Sequence, residues 1–158
     1  MKILVLSDTH NDPKTPCLVV EKEQPRMIFF LGDGWRDSDK IIETFPDIPL
    51  FRVPGNCDPF QSQKNALEQV IALEGFRIFL CHGHTYGVKQ GLWEAEEIAK
   101  REHLDAFLFG HTHAPLCRRS GRTLYFNPGS LGMSIPPTYG ILTAERGKKL
   151  DGRIYRLK

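Results

Sequence analysis

Residues 2–13, KILVLSDTHNDP, decide the fold, because they join a short apolar run to a dense cluster of polar, turn-forming residues. The run from Lys2 to Leu6 is rich in aliphatic and β-branched side chains, which indicates a buried strand. The segment from Ser7 to Pro13 is typical of a loop. These residues therefore predict a strand whose carboxyl end presents the side chains of Asp8 and His10.

The same pattern of an apolar run followed by a polar loop recurs along the chain. Four more predicted strands end in Asp, Asn or His: Met27 to Leu31 before Gly32-Asp33-Gly34, Leu50 to Val53 before Gly55-Asn56-Cys57-Asp58, Phe76 to Cys81 before His82-Gly83-His84, and Asp105 to Phe109 before Gly110-His111-Thr112-His113. A further strand, Thr123 to Phe126, leads into Asn127-Pro128-Gly129-Ser130. Ligands of α/β sheets gather at the carboxyl ends of strands, so these loops predict one shared site.

The stretches between these strands predict helices, a hairpin and closing strands. The helices are Lys14 to Glu23, Ser38 (as the N-cap) to about Phe45, and Val88 to Glu102, where apolar residues recur at helical spacing. The hairpin joins Glu68–Leu73 to the run from Phe76, and the closing strands lie near Tyr139 to Thr143 and Arg153 to Leu157. Strands that alternate with helices predict an α/β sandwich, and we expect residues 1–158 to form one domain.

The composition is that of an ordinary folded protein. A chain of 158 residues is long enough to bury roughly 70% of its extended surface around one core. The net charge of +2 is too small to indicate a polyanion-binding surface. The chain begins with only four consecutive apolar residues, which is far short of a signal-peptide core or a membrane span, so we expect a cytoplasmic protein without membrane contact. No CxxC pair occurs among the four cysteines, and we expect free thiols.

The histidines give the clearest indication of a metal site. Four of the six lie in His82-Gly83-His84 and His111-Thr112-His113, directly after predicted strands. Side chains two positions apart in an extended segment face the same way, so each pair, like Asp8 with His10, can grip one ion. Taken singly, other candidates keep a structural interpretation: Asp8 as a turn or cap residue, Asp33 as a tight-turn residue and Asn56 as a left-handed turn residue.

In this order, the elements Asp-x-His, Gly-Asp, Gly-Asn-Cys-Asp, His-Gly-His, Gly-His-x-His and Asn-Pro-Gly-Ser resemble the calcineurin-like metallophosphoesterase superfamily. The similarity covers residues 1 to about 145. The short chain and Cys57 are more closely similar to a small bacterial and archaeal phosphodiesterase branch, which is related to the retromer subunit Vps29. The resemblance implies a four-layer αββα sandwich of two mixed β-sheets flanked by helices. It also implies a phosphoester hydrolase, and within that class a phosphodiesterase.

The resemblance further implies a role for each matching residue. Asp8, His10 and His113 hold one metal ion, Asn56, His82 and His111 hold a second, and Asp33 bridges the two. The expected catalytic residues are Asp33, Asn56 and His82, and the expected substrate-binding residues are Cys57 and His84. Many superfamily members have a histidine in place of Cys57, where it can protonate the leaving group. A thiol is a poorer proton donor, so we expect weak activity on substrates with poor leaving groups.

The expected chemistry is hydrolysis of a small phosphoester by two divalent ions about 3.5 to 4 Å apart, with a bridging hydroxide beside Asp33 that attacks phosphorus in line. Oxygen and nitrogen ligands suit Mn, Fe, Zn, Co or Ni better than Ca, and the resemblance favours Mn. We expect Asp12 or Asp58 to orient a ligand imidazole. The sequence leaves homo-oligomerisation open.

Two other classes of function stay open. One is a scaffold protein that keeps the fold and uses a surface for assembly, as the resemblance to Vps29 permits, although here no ligand position is missing. The other is a nucleic-acid-binding protein or nuclease that uses Arg118, Arg119 and Arg122, with Tyr125 for base stacking. A solvated hairpin with its turn at Ser120-Gly121 explains the same residues without nucleic acid.

Overall fold

The computed structural model describes residues 1–158 as two five-stranded sheets flanked by three helices. The ten strands are β1 (Lys2–Leu6), β2 (Met27–Phe30), β3 (Leu50–Arg52), β4 (Glu68–Leu73), β5 (Phe76–Cys81), β6 (Ala106–Leu108), β7 (Leu116–Ser120), β8 (Thr123–Asn127), β9 (Thr138–Thr143) and β10 (Asp151–Arg156). The helices are α1 (Lys14–Glu23), α2 (Trp35–Thr44) and α3 (Trp93–Arg101). No helix combines the length and the apolar character that crossing a bilayer requires.

Both sheets are mixed, and each has a parallel centre. The first has the order β10-β9-β1-β2-β3, in which β1, β2 and β3 are parallel. The second has the order β4-β5-β6-β8-β7, in which β5, β6 and β8 are parallel. The outer strands β10, β9, β4 and β7 pair antiparallel with their neighbours. Since the carboxyl ends of parallel strands share an edge, each sheet presents a set of loops to one side.

The alternation of side chains along the strands explains the four layers. In β1, Ile3 and Val5 point into a cluster between the two sheets, whereas Leu4 and Leu6 point into a second cluster under α1 and α2. In β6, Leu108 belongs to the central cluster, whereas Phe107 packs into a third cluster under α3. A strand that is buried on both faces needs a continuous apolar run, as these strands have. The predicted four-layer αββα sandwich is therefore confirmed.

The strand predictions agree with the structure to within one or two residues, but two helices begin at other positions. Helix α2 starts at Trp35, with Gly34 as its N-cap, so the prediction of Ser38 as N-cap is wrong. The cause is a carboxylate from a distant loop, because Asp58 accepts the backbone N–H groups of Gly34 and Trp35 at 2.8 Å each. Helix α3 begins at Trp93 instead of Val88, because Gly91, inside the predicted helix, has a φ of +153°, which a helix does not contain.

Candidate metal centre

Loops from both sheets meet at one edge of the sandwich, where the strands end. Asp8 and Asp33 follow β1 and β2 of the first sheet, and His82 and His111 follow β5 and β6 of the second. Backbone hydrogen bonds join neighbouring loops, from Asp8 N to Gly32 O at 3.0 Å and from Gly110 N to His82 O at 2.9 Å. The N–H of His111 crosses between the sheets and donates to Asp8 Oδ2 at 3.1 Å. The predicted convergence of strand ends is therefore present.

One group of potential ligands consists of Asp8, His10 and His113. The Nε2 atoms of His10 and His113 lie 3.2 Å apart, and Asp8 Oδ1 lies 3.2 Å from His113 Nε2 and 3.7 Å from His10 Nε2. Two donors that share an ion at bond lengths near 2.1 Å are about 3.0 to 3.5 Å from each other. The three side chains thus have the spacing of ligands to one ion.

A second group consists of Asp8, Asp33 and His82. His82 Nε2 lies 3.3 Å from Asp33 Oδ2 and 3.9 Å from Asp8 Oδ1, and Asp33 Oδ2 also lies 3.9 Å from His10 Nε2. Asp8 belongs to both groups, and Asp33 lies within reach of imidazoles from both. Two carboxylates placed between two sets of imidazoles are the arrangement that neighbouring cations require, since carboxylate charge offsets their repulsion.

Two atoms at the centre of this cluster lack any hydrogen-bond partner. Asp8 Oδ1 and His82 Nε2 are buried and unpaired, in residues whose exposure is 0% and 1%. Buried polar atoms are almost always hydrogen-bonded, and an ion is one of the few explanations of an exception. The Nδ1 atom of His82 donates to Leu31 O at 2.6 Å, which turns the lone pair of Nε2 toward the carboxylates. The residues therefore fit divalent metal ions.

The charges of the cluster also favour a cation. Burial alone would raise the pKa of Asp33, but the nearby imidazole of His82, together with a hydrogen bond from the backbone N–H of Cys57, holds the pKa well below its usual range. The neighbouring carboxylate of Asp8 raises the pKa of His10. Burial opposes protonation of His82, yet Asp33 and Asp8 raise its pKa overall. The ionised carboxylate of Asp33 therefore gives this cluster the negative charge that a cation requires.

His111, His84 and Asn56 lie at the margin of the cluster. The ring centroid of His111 is 5.1 Å from that of His82, and burial, together with the charge of His82, lowers the pKa of His111 to about 4. The imidazole of His111 is thus neutral, which is the form that binds metals. His84 lies 5.5 Å from His82, and its Nδ1 is buried without a partner. Asn56 is exposed, and its side-chain nitrogen lies 3.5 Å from Cys57 Sγ. The roles predicted for these three residues stay predictions.

The backbone of the ligand loops differs from the extended geometry that the sequence predicted. Five of the seven predicted ligands have left-handed φ angles: Asp8 at 57°, His10 at 48°, Asp33 at 54°, His111 at 65° and His113 at 57°. Left-handed backbone costs a non-glycine residue about 1 to 2 kcal/mol. The expectation that paired side chains face one way is therefore wrong for His111 and His113, since His113 joins His10 and Asp8 whereas His111 packs against His82. Strain of this kind collects at functional sites.

Asp58 holds two ligand loops together instead of orienting an imidazole. Its Oδ2 accepts the N–H groups of Asp33 at 2.9 Å and Gly55 at 2.7 Å, and its Oδ1 accepts two N–H groups at the start of α2. Asp12 accepts the N–H groups of Lys14 and Thr15 and so only begins α1. The prediction that Asp12 or Asp58 orients a ligand imidazole is therefore wrong. A carboxylate after a Gly-Asn-Cys turn was visible in the sequence, but three of its four backbone partners lie more than twenty residues away.

Glycine permits the close approach of these two loops. A Cβ atom on Gly32, whose φ is +94°, would lie 2.8 Å from the Cα of Gly55 and 2.8 Å from His82 Nδ1. Contacts this short do not occur between real Cβ atoms and backbone. The glycine before Asp33 is thus required by packing as well as by its left-handed backbone.

Sequence reasoning missed the polar residues that fix Asp8. The hydroxyl of Ser7 donates to Asp8 Oδ2, and the hydroxyl of Ser130 donates to Asp8 O at 2.7 Å. Asn127 donates to Gly110 O at 2.8 Å, which secures the loop that carries His111. All three are buried polar residues at strand ends. That position was the only available signal, because their partners lie on other strands.

Cys57 lies beside the cluster and is exposed. The Sγ atom of Cys57 and the potential ligand atoms of His10 and Asp33 all lie within 4.8 Å of one another. The backbone N–H of Cys57 donates to Asp33 Oδ1 at 2.8 Å. Burial of the thiol, followed by the negative charge of Asp33, raises the pKa of Cys57. The thiol is therefore neutral and a weak acid, which suits neither a nucleophile nor a strong proton donor.

Replacing Cys57 with alanine is expected to keep kcat/KM on an activated diester within about twofold of wild type, because the backbone bond to Asp33 survives. The assay is hydrolysis of bis(p-nitrophenyl) phosphate, with metal content measured in parallel. Cys117→Ala, which removes another exposed free thiol, is the matched control. Loss of most turnover with full metal content would assign the thiol a direct role.

The turn of the basic hairpin of β7 and β8 lies at the amino end of β8, whereas the ligand loops lie at the carboxyl ends of the parallel strands. The hairpin turn is therefore at the opposite edge of the sheet from the cluster. Arg118 pairs with Glu96 at 2.6 Å, and Arg122 pairs with Asp105 at 2.6 Å. Tyr125 is only 3% exposed, so its predicted availability for base stacking is wrong. These contacts favour the solvated hairpin over a nucleic-acid surface.

Comparison with known proteins agrees with this geometry. A model of the calcineurin-like phosphoesterase superfamily domain matches residues 1–147. The chain is 29% identical to phosphodiesterase YfcE of Escherichia coli strain K12, over 90% of this chain and 87% of the relative. It is 28% identical to the probable metallophosphoesterase YsnB of Bacillus subtilis, over 92% of this chain and 85% of the relative. Vacuolar protein sorting 29 of Cryptosporidium parvum has the same fold, with a TM-score of 0.81 at 17% identity, covering 99% of this chain and 91% of that one.

Proposed function

The chain belongs to the calcineurin-like phosphoesterase superfamily, and on this premise we propose that it is a phosphodiesterase that works with a dinuclear metal centre. The names of its relatives support hydrolysis of phosphoesters, and YfcE supports a diester substrate. The observation that carries the proposal is the buried, unpaired couple of Asp8 Oδ1 and His82 Nε2 at the centre of a carboxylate and imidazole cluster. A purely structural role does not explain why these two buried atoms lack a hydrogen-bond partner.

When bound, two divalent ions bind the phosphoryl oxygens and supply a hydroxide nucleophile at neutral pH. The chain's own residues hold and orient this centre. Asp33 Oδ1 is fixed by the N–H of Cys57, which leaves Oδ2, directed at His82 and His10, as the oxygen that would hold the ions. We propose Asp8, His10 and His113, which lie within reach of one another, as one ligand set, and His82 with His111 and Asn56 as the other. Five left-handed ligand residues keep these side chains in place before the substrate arrives.

The ligand set determines which ions are suitable. Carboxylate, amide and imidazole donors suit Mn, Fe, Zn, Co and Ni, and among these we propose Mn as the working ion. The oxygens of two aspartates are too few for the six to eight oxygen ligands of Ca.

Protein stripped by a chelator is expected to hydrolyse neither bis(p-nitrophenyl) phosphate nor p-nitrophenyl phosphate, because the nucleophile depends on the metals. Adding Mn is expected to restore diester hydrolysis, with a kcat/KM for the diester at least about tenfold above that for the monoester. The assay uses one protein preparation, with each of the five ions added separately and calcium as a control. Failure of all five ions to restore turnover would contradict the catalytic proposal.

A scaffold protein is the alternative, and the fold shared with Vps29 supports it. The fold alone does not separate the two functions, since it is compatible with both. A catalyst needs the strained ligand loops described above, whereas an assembly surface does not. Inactivity across monoester, diester and nucleotide substrates in protein shown to hold its metals would favour the scaffold.

A further inference from the structure

A cavity of about 260 Å³ opens directly beside the metal centre. Its lining includes His10 and Asp33 of the cluster together with Trp35, Arg36 and Pro59. It lies between the loop after β2 and the loop after β3. A substrate whose reacting phosphoryl group sits against Asp33 therefore extends its remaining groups toward Arg36.

The carboxylates around this cavity are already occupied. Asp37 is buried and accepts the hydroxyl of Thr9 and the N–H of Asn11, the latter at 3.0 Å. Asp58 accepts four backbone N–H groups, as described above. Asp58 therefore has no free acceptor position, and one oxygen of Asp37 is occupied. Both carboxylates are thus held in place by groups of the protein itself.

The two arginines near the cavity differ in whether other residues of the protein offset their charge. Arg52 lies 3.8 Å from the ring centroid of Trp35 and bonds to Ser38 Oγ and Asp39 Oδ1 at 2.7 Å each. Its charge is neutralised and its position is fixed. Arg36 is exposed, lines the cavity, and forms no ion pair or side-chain hydrogen bond within the structure. It is the one uncompensated cation that the cavity presents to a ligand.

We propose that Arg36 binds a second phosphate group of the substrate, so that the preferred substrates are phosphodiesters that carry an additional phosphate. This inference rests on the proposed function, since it takes the reacting group to lie at the metal centre. A guanidinium presents a planar pair of N–H donors that matches two oxygens of a phosphate. Arg36 is a specificity-determining residue here, because it contacts the part of the substrate that does not react.

Two substrates that differ by one phosphate test this role. They are thymidine 5′-(p-nitrophenyl phosphate) and its 3′-phosphorylated form, which share the same leaving group. Wild-type protein loaded with Mn is expected to prefer the phosphorylated form by about tenfold in kcat/KM, as a charge-assisted contact allows. Arg36→Gln is expected to abolish this preference and leave kcat/KM for the simpler substrate unchanged, whereas Arg36→Lys keeps part of it.

The matched control is Arg26→Gln, which removes an exposed arginine at the start of β2, the opposite end from the cluster. It is expected to keep the full preference. If Arg36→Gln lowered kcat/KM equally on both substrates, the proposal would be overturned. That result would show that Arg36 acts on the reacting group or stabilises its loop. Absence of any preference in the wild type would overturn it as well.

A binding measurement separates this inference from the proposed function. Calorimetry on the Mn-loaded protein is expected to show tighter binding of thymidine 3′,5′-bisphosphate than of thymidine 5′-monophosphate, with the difference lost in Arg36→Gln. If neither chromogenic substrate is hydrolysed but this difference is seen, the catalytic proposal fails and the role of Arg36 stands. If the two ligands bind equally well, the role of Arg36 fails whatever the activity.

Discussion

Replacing Asp58 with alanine is expected to lower kcat/KM on bis(p-nitrophenyl) phosphate by about a hundredfold or more, although Asp58 is not a metal ligand. Four backbone N–H groups, from Asp33, Gly34, Trp35 and Gly55, lose their acceptor at once. Leaving buried donors unpaired costs about 1 to 3 kcal/mol each, and loop rearrangement that lets water in recovers part of this cost. The rearrangement displaces Asp33 from His82, so both metal binding and turnover are expected to decrease.

The control variant for this test is Asp47→Ala, which removes an exposed aspartate that takes part in no ion pair. Chemical denaturation is expected to show a free energy of unfolding at least about 2 kcal/mol lower for Asp58→Ala than for Asp47→Ala. Asp58→Asn keeps the size and one acceptor, so it is expected to fall between the two. If Asp58→Ala retained metal content and turnover within about twofold of the control, the positioning role would be wrong.

The sequence predicted the parts of the fold that depend on local patterns. Continuous apolar runs such as Ile3–Leu6 and Ile78–Cys81 are required when both faces of a strand are buried, and both lie inside their sheets. Polar loops after such runs predicted where the ligands converge, because parallel strands bring their carboxyl ends to a common edge. These relations are local or topological, so one sequence is enough to show them.

The details of the site depend on contacts that are distant in the chain. The start of α2 is decided by Asp58, which lies 23 residues from Trp35, and not by Ser38 within the helix. The orientation of the histidines is decided by left-handed backbone, which side-chain periodicity does not reveal. Arg36 carries no signal in the sequence, because only the cavity beside the cluster shows what it faces. Tertiary contacts therefore override local preference at the positions that matter most for function.

Replacing His113 with alanine is expected to reduce the bound metal from about two ions to about one per chain and to lower kcat/KM by about a hundredfold or more. His113 Nε2 lies 3.2 Å from both His10 Nε2 and Asp8 Oδ1, so its loss leaves that ligand set with two side chains. The group of Asp8, Asp33 and His82 stays complete and retains the other ion. Both quantities are measured on one preparation, by metal analysis after dialysis and by diester hydrolysis.

His103→Ala controls for effects unrelated to the metal. His103 is an exposed histidine outside the cluster, and its φ of +51° is close to the +57° of His113. Both substitutions thus remove one imidazole and place alanine at a left-handed position, so backbone strain changes by about the same amount in each. Any difference between the two variants in metal content, turnover or metal-induced thermal stabilisation comes from coordination. If His113→Ala bound as much metal as His103→Ala and turned over diester equally fast, the loops would hold these side chains together for some purpose other than sharing a cation.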